Sequence, residues 1–336
     1  MEQLPANWRR WVAENGLRDC DPASMVNTMV EAGVDEQLAA TGVEQVLNDP
    51  VFSAARLHQQ LQKKYASIML NHQKMLEQNP NFAEIERRDN LSKDEFFEKY
   101  YLGNRPVIVT DFTQGWPALS RWSPAYFKEK FGHVNVEVQM GREKKALYEE
   151  NKHEHKRYLS MKNLVERIEA LDSSNDIYMT ANNDALKNFD LKDLLDDIGD
   201  VPVYLDESRL HLDTSLWFGP AGTVTPLHHD PVHLFHAQIV GRKRWRFIPA
   251  MQTPLLYNFN SVFSPIDIDN PDLDRYPLFK DATILDVTVQ PGEAIFLPLA
   301  WWHHVVSLDT CISLSFGNIA YNNIYEYENP TIRHWY

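Results

Sequence analysis

The sequence predicts a mainly β fold with helices: a double-stranded β-helix, the jelly-roll barrel, preceded by an α-helical N-terminal region. Three observations carry this expectation. Apolar residues recur at helical spacing up to about Asn79 and then lose that period. From Val107 onward, short alternating segments separated by turn residues take over, and the helices gather before the strands instead of between them, which argues against a βαβ arrangement. Late in the chain, His228-His229-Asp230 is answered by Trp302-His303-His304, so that strands of one barrel can bring two imidazoles and a carboxylate to a metal.

The N-terminal elements read in order as follows. Trp8, Trp11 and Val12 lie at helical spacing, Asp21-Pro22-Ala23-Ser24 is a helix start, and Met25 to Val46 reads as two short helices broken at Gly33. A long polar and apolar repeat runs from Ala54 to Gln78 and is closed by Pro80. Residues 1–84 are therefore expected to form a small helical bundle that covers the barrel, with its apolar positions as core. Substrate binding and dimer formation are the other roles such a bundle can have.

Residues 85–318 are expected to form the second domain. Ser92-Lys93-Asp94-Glu95 before Phe96-Phe97 is a helix-start signature, and strands are expected at Val107 to Val109, Val134 to Met140, Tyr178 to Thr180 and Leu216 to Phe218. In the next strand, side chains alternate faces, so His228 and Asp230 point one way and His229 the other. The third ligand must come from another strand. The apolar, aromatic run Ala294 to His303, introduced by Pro291-Gly292, supplies His303, with His304 on the opposite face.

The segment Gln238 to Phe247 is specific when read with period two. Gly241, Lys243, Trp245 and Phe247 share one face, and Arg242, Arg244 and Arg246 share the other. Lys243 is thus the one charge on an apolar face. A buried ammonium is costly unless an anion meets it, so either a protein carboxylate or an anionic ligand should sit within reach, and beside a metal site a carboxylate-bearing cosubstrate is the better expectation. The arginine face reads as a solvated or salt-bridged sheet surface.

From about Arg105 to Phe316 the chain resembles the JmjC, or cupin-like, Fe(II)- and 2-oxoglutarate-dependent oxygenases. The resemblance rests on Asn104-Arg105-Pro106-Val107-Ile108-Val109 with Gly115-Trp116-Pro117-Ala118, on Thr225 through Asp230, on Gly241-Arg242-Lys243, and on Pro291-Gly292-Glu293 through Trp301-Trp302-His303-His304. Within that family the chain is similar to the hydroxylase branch, including the asparaginyl hydroxylase of hypoxia-inducible factor, which shares Trp-Trp-His-His. The resemblance implies a cupin/JmjC barrel in which His228, Asp230 and His303 ligate Fe(II), and Lys243 and Thr225 hold the distal carboxylate of 2-oxoglutarate, with Tyr178 as a further phenol on it. Leu234 and Ser315 stand where the asparaginyl hydroxylase has asparagines near the cosubstrate, and His236 replaces an aromatic residue. His236 and Ser315 are accordingly candidate cosubstrate contacts. The implied reaction uses dioxygen, decarboxylates 2-oxoglutarate to succinate and hydroxylates an unactivated C–H bond, here expected on a peptide or protein side chain. A small molecule, a lipid-linked sugar or a tRNA base is the alternative substrate, and a non-catalytic cupin-type binding protein is the competing class. Histone demethylation ranks below hydroxylation because the sequence shows no reader domain.

Composition agrees with an enzyme of this kind. The 336 residues are 43% hydrophobic, enough for one large domain and an accessory one. Two cysteines, Cys20 and Cys311, fit a reducing compartment. The start lacks the regions of a signal peptide and no run approaches the roughly 18 apolar residues of a membrane helix, so a cytoplasmic location without membrane contact is expected. A net charge of −14 weighs against nucleic acid as a partner, and the mixed-sign run Lys152 to Arg157 reads as a solvated loop. No Gly-rich phosphate loop or nucleophile elbow is present. The segment from Tyr257 to Asp281, with Asp267, Asp269, Asp272 and Asp274, lacks the central glycine and final glutamate of an EF-hand and reads as an insertion bordering the entrance. The tail, residues 319–336, is rich in Tyr and Asn and ends His334-Trp335-Tyr336, a composition that hints at a homodimer.

Overall fold

A computed structural model describes residues 3–144, 147–181, 183–187 and 189–331. The chain divides into two compact units, Met1–His72 and Gln73–Tyr336. The first contains α1 (Ala6–Leu17), α2 (Pro22–Glu31), α3 (Glu36–Leu47) and most of α4 (Pro50–Leu76). Asp21 and Asp35 cap α2 and α3 by accepting the backbone N–H of Ser24 and Leu38, and Gly33, at φ +89°, makes the break between them. Leu4, Val12, Met25, Met29, Ala39 and Val43 form this unit's core. The long helix begins at Pro50, earlier than the repeat from Ala54 suggested, because proline is tolerated in a first turn.

Among the described residues the second unit holds thirteen strands. The six-stranded sheet runs β1 (Glu86–Arg88), β2 (Val107–Val109), β11 (Ala294–Leu297), β8 (Leu234–Val240), β13 (Cys311–Phe316), β6 (Thr214–Gly219). The four-stranded sheet runs β10 (Leu285–Val289), β9 (Lys243–Ile248), β12 (Trp302–Ser307), β7 (Val224–His229). A three-stranded sheet of β4 (Lys156–Ser160), β3 (Asn135–Met140) and β5 (Ile177–Tyr178) adjoins them, β5 through the bridge from Met179 to Phe218. Every pairing is antiparallel except β1 with β2. The third sheet matches the expected strands at Val134 and Tyr178, with the latter shorter than expected.

Strand alternation divides the six-stranded sheet into two faces. Phe235, Ala237, Phe296, Leu314 and Phe316 join the larger core with Phe96, Phe112 and Trp116 and with the helices Pro124–Phe131 and Met161–Glu169. The opposite face carries His236, Ile295 and Ser315 in one cross-strand row and looks toward the four-stranded sheet. The smaller core, with Ile108, Trp245, Phe247, Ile295 and Val305, fills one end of the space between the sheets. Polar groups occupy the other end.

The tail folds back along its own domain. Tyr321 packs against Phe97, Tyr325 Oη lies 3.0 Å from Tyr101 Oη, and Tyr327 Oη lies 3.3 Å from His229 Nε2. These tyrosines are occupied within the chain, so they give no ground for the homodimer their composition suggested. His334, Trp335 and Tyr336 lie outside the described residues. Among the described residues no helix is long and apolar enough to cross a membrane.

Candidate metal centre

His228, Asp230 and His303 converge as the alternation argument expects. One donor atom from each lies within 4.8 Å of the others, and among the described residues this is the one group of His, Cys, Asp or Glu so arranged. His228 faces His303 across the β7–β12 ladder, with ring centroids 4.1 Å apart, and His303 Nε2 is 3.5 Å from Asp230 Oδ2. Asp230 follows the last residue of β7, and its carbonyl accepts the Ala300 N–H at 2.9 Å, tying it to the approach to β12.

Backbone carbonyls orient both imidazoles. His228 Nδ1–H donates to Pro226 O at 2.8 Å and His303 Nδ1–H to Trp301 O at 3.0 Å, so each Nε2 lone pair is left for a cation. Burial, reinforced by the neighbouring His228, holds the His303 imidazole well below its ordinary titration range. Burial also pushes the Asp230 carboxyl up, and among the described residues neither Arg nor Lys pairs with it. Two imidazoles with their Nε2 atoms turned to the site and a carboxylate without a protein cation are the donor set that a divalent metal neutralises. The residues present fit Fe(II) held on one face with further positions open.

The remaining histidines are engaged elsewhere. His229 lies against Trp302 and Tyr327, and burial pushes its pKa down to about 4. His304 Nδ1 accepts from Arg246 at 3.0 Å, and His233 Nδ1 accepts the Leu299 N–H at 3.0 Å. Arg242, Arg244 and Arg246 pair with Asp309, Asp286 and Asp269 on the far side of the sheet. Within the Asp-rich segment only the stretch Phe259 to Phe263 and Pro265 lines the cavity of the triad.

That cavity encloses about 1240 Å³ and includes Lys243, Thr225, Tyr178, His236 and Ser315, all five proposed cosubstrate contacts. Lys243 is 1% exposed. Its ammonium donates to Ser313 Oγ at 2.9 Å, Tyr178 Oη at 3.1 Å and His236 Nε2 at 3.2 Å, and no carboxylate pairs with it among the described residues. Burial and the adjacent Lys243 keep His236 neutral, so in this arrangement its Nε2 accepts a hydrogen bond from the ammonium instead of donating one. Ser315 accepts the Trp217 indole N–H at 2.9 Å.

Two glycines make this possible. Gly241, at φ +72°, turns β8 into β9, and a Cβ there would lie 2.3 Å from Thr310 O. Gly219 leaves room for the Tyr178 ring, which a Cβ would approach to 2.6 Å. Strict alternation places Thr225 on the face opposite His228. The register of β12 against β7 shifts, however: His303 pairs with His228 and Val305 with Thr225, so two steps on β12 match three on β7. The bulge at Pro226-Leu227 restores Thr225 to the cavity side. Ser313 was not anticipated, although it shares a strand face with Ser315 and that alternation could have found it. Arg142 was also missed. It is wholly buried, pairs with Glu149, and its guanidinium lies 5.1 Å from the centre of the Tyr178 ring.

Residues 93–329 match the family described as the cupin-like domain. The chain belongs to the cupin-like JmjC family of Fe(II)- and 2-oxoglutarate-dependent oxygenases. Lysine-specific demethylase 8 of Xenopus tropicalis is 32% identical over 232 residues, 67% of this chain and 50% of the relative. Lysine-specific demethylase JMJ30 of Arabidopsis thaliana is 34% identical over 241 residues, covering 69% and 54%. HSPB1-associated protein 1 of Homo sapiens is 42% identical over 104 residues, 29% of this chain and 21% of that one. The chain spans about half the length of the first two of these curated relatives. Their names are demethylase names within the JmjC family and do not carry the expected likeness to the asparaginyl hydroxylase branch.

Proposed function

We propose that this JmjC chain is an Fe(II)- and 2-oxoglutarate-dependent oxygenase that hydroxylates a C–H bond on a side chain of a peptide or protein. The observation that carries the reading is Lys243, a buried ammonium with no protein carboxylate among the described residues, in the same cavity as the His228, Asp230 and His303 triad. A metal alone does not call for it; a dicarboxylate spanning from metal to ammonium does.

Fe(II) bound with 2-oxoglutarate and dioxygen supplies the oxidising power that couples loss of carbon dioxide to insertion of oxygen into a C–H bond. The chain's own residues bind and orient. His228, Asp230 and His303 would hold the metal, their tautomers fixed by Pro226 and Trp301. Lys243, with Tyr178 beside it and Thr225 in the same cavity, would take the distal carboxylate, while Ser313 and neutral His236 keep the ammonium in place before the cosubstrate arrives. Trp217, Trp245 and Val305 line the cavity and exclude water around the reacting centre.

A peptide or protein substrate is supported by the size of the cavity and by the names of the relatives. Demethylation of lysine is the second reading, and besides those names one feature favours it. Glu150 lines the cavity, burial pushes its carboxyl up, and among the described residues it has Asn260 but no cation for a partner. An ammonium on the substrate would supply one. Purified protein given Fe(II), 2-oxoglutarate and air should form succinate, and candidate peptides should gain one oxygen atom. Loss of a methyl group with release of formaldehyde would select demethylation. Absence of both succinate formation and metal-dependent 2-oxoglutarate binding would leave the non-catalytic binding protein.

A further inference from the structure

Several side-chain polar atoms are buried without a hydrogen-bond partner, but among the described residues only one of them, the indole N–H of Trp245, belongs to a residue lining the cavity of the triad. Trp245 is 3% exposed. A donor so placed destabilises the protein unless something bound there accepts from it. Its position says what that is. Along β9, Trp245 stands two residues from Lys243 and two from Phe247, which pairs with His303, and it faces Val305 in the ladder. The indole centroid is 5.0 Å from the His236 ring, whose Nε2 accepts from Lys243, and 5.8 Å from the His303 ring. Two residues of strand cover roughly 6.6 Å, within the reach of an extended five-carbon dicarboxylate. Phe247, stacked on the indole at 5.8 Å, and Val305 offer no acceptor of their own.

We propose that Trp245 is a further cosubstrate-binding residue, its Nε1–H donating to a carboxylate oxygen of the 2-oxo acid held between Lys243 and the metal. The inference rests on the function proposed above. It accounts for a tryptophan at a position where phenylalanine would provide equivalent packing.

Trp245→Phe keeps the stack on Phe247 and removes the donor. With Zn(II) in place of iron, so that no turnover occurs, the variant should retain the metal and bind 2-oxoglutarate about tenfold more weakly, the scale of one lost hydrogen bond to a charged group. A benzothiophene analogue of tryptophan at the same position, similar in bulk but without the N–H, should show the same loss and covers poor folding of the phenylalanine variant. In proton–nitrogen spectra of the Zn(II) protein, the indole resonance absent from Trp245→Phe should shift when 2-oxoglutarate is added. Unchanged affinity in both variants, or a resonance that moves only when a peptide is added, overturns the inference and leaves the function standing. Failure of the wild-type protein to bind 2-oxoglutarate at all overturns the function and the inference with it.

Discussion

At the residue scale, the site offers three donors to a cation and a buried ammonium to an anion, and substitutions should separate accordingly. His228→Ala or Asp230→Ala removes one of three donors and should abolish iron retention, measured as metal content after desalting. Lys243→Ala leaves the donors intact and should spare iron while raising the dissociation constant for 2-oxoglutarate by tenfold or more, on the scale of a lost charge-assisted pair. Equal iron loss in all three would contradict this division. Replacing His229 or His304 should leave the metal in place, because their rings contact Trp302, Tyr327 and Arg246. Ser313→Ala and Tyr178→Phe each withdraw one oxygen from the ammonium, and each should weaken cosubstrate binding by less than Lys243→Ala does, with iron content unchanged.

At the scale of elements, turns and bulges decide where those residues arrive. Gly241→Ala forces a side chain into a left-handed turn and against the carbonyl of Thr310. It should cost roughly 1–3 kcal/mol of stability, read from urea unfolding, and should weaken 2-oxoglutarate binding because Lys243 follows two residues later. The sequence made some of this legible. The triad could be read because His228 and Asp230 are two apart on a strand and His303 ends an apolar run, and Lys243 could be read as a charge on an apolar face. Thr225 could not be placed by the same rule, because the register shift in β7 that turns it inward depends on pairing with β12. Ser313 meets Lys243 only because two sheets pack face to face, and Arg142, in the turn after β3, comes under Tyr178 only because β3 and β5 pair in the third sheet. The aromatic tail could not be placed from composition, which carries no direction; Tyr101 and His229 give its tyrosines partners within the chain.

At the scale of the whole molecule, buried neutral imidazoles make stability depend on pH. His233 is pushed from 6.5 down to about 4 by burial, and His229 and His304 are pushed to about 4 as well. Below 6.5 the unfolded chain takes up protons that the folded chain refuses, so this contribution is complete above 6.5 and is lost as pH falls toward 4. The raised carboxyls of Asp230 and Glu150 act in the opposite sense. His236 and His303 are held down as well, and five imidazoles against two carboxyls should leave the metal-free protein with a urea midpoint that declines across that interval. His233→Phe should flatten the decline; an unchanged slope would show that His233 is not buried neutral.

The pairing of His228 with His303 also has a consequence for how the protein must be handled. Both histidines sit on adjacent, hydrogen-bonded strands and Asp230 is fastened to the backbone of Ala300, so the backbone pairing of the fold itself holds the three donors together. An assembled pocket cannot use a folding step to refuse the wrong guest. By the general order of divalent affinities, nickel, copper and zinc all outcompete ferrous iron at a nitrogen and oxygen site. For the proposed iron oxygenase, metal fidelity would therefore be set by supply, and a nickel column or a zinc-rich buffer would be enough to silence it. Preparations stripped with a chelator and reloaded with iron in the absence of air give the meaningful baseline for activity.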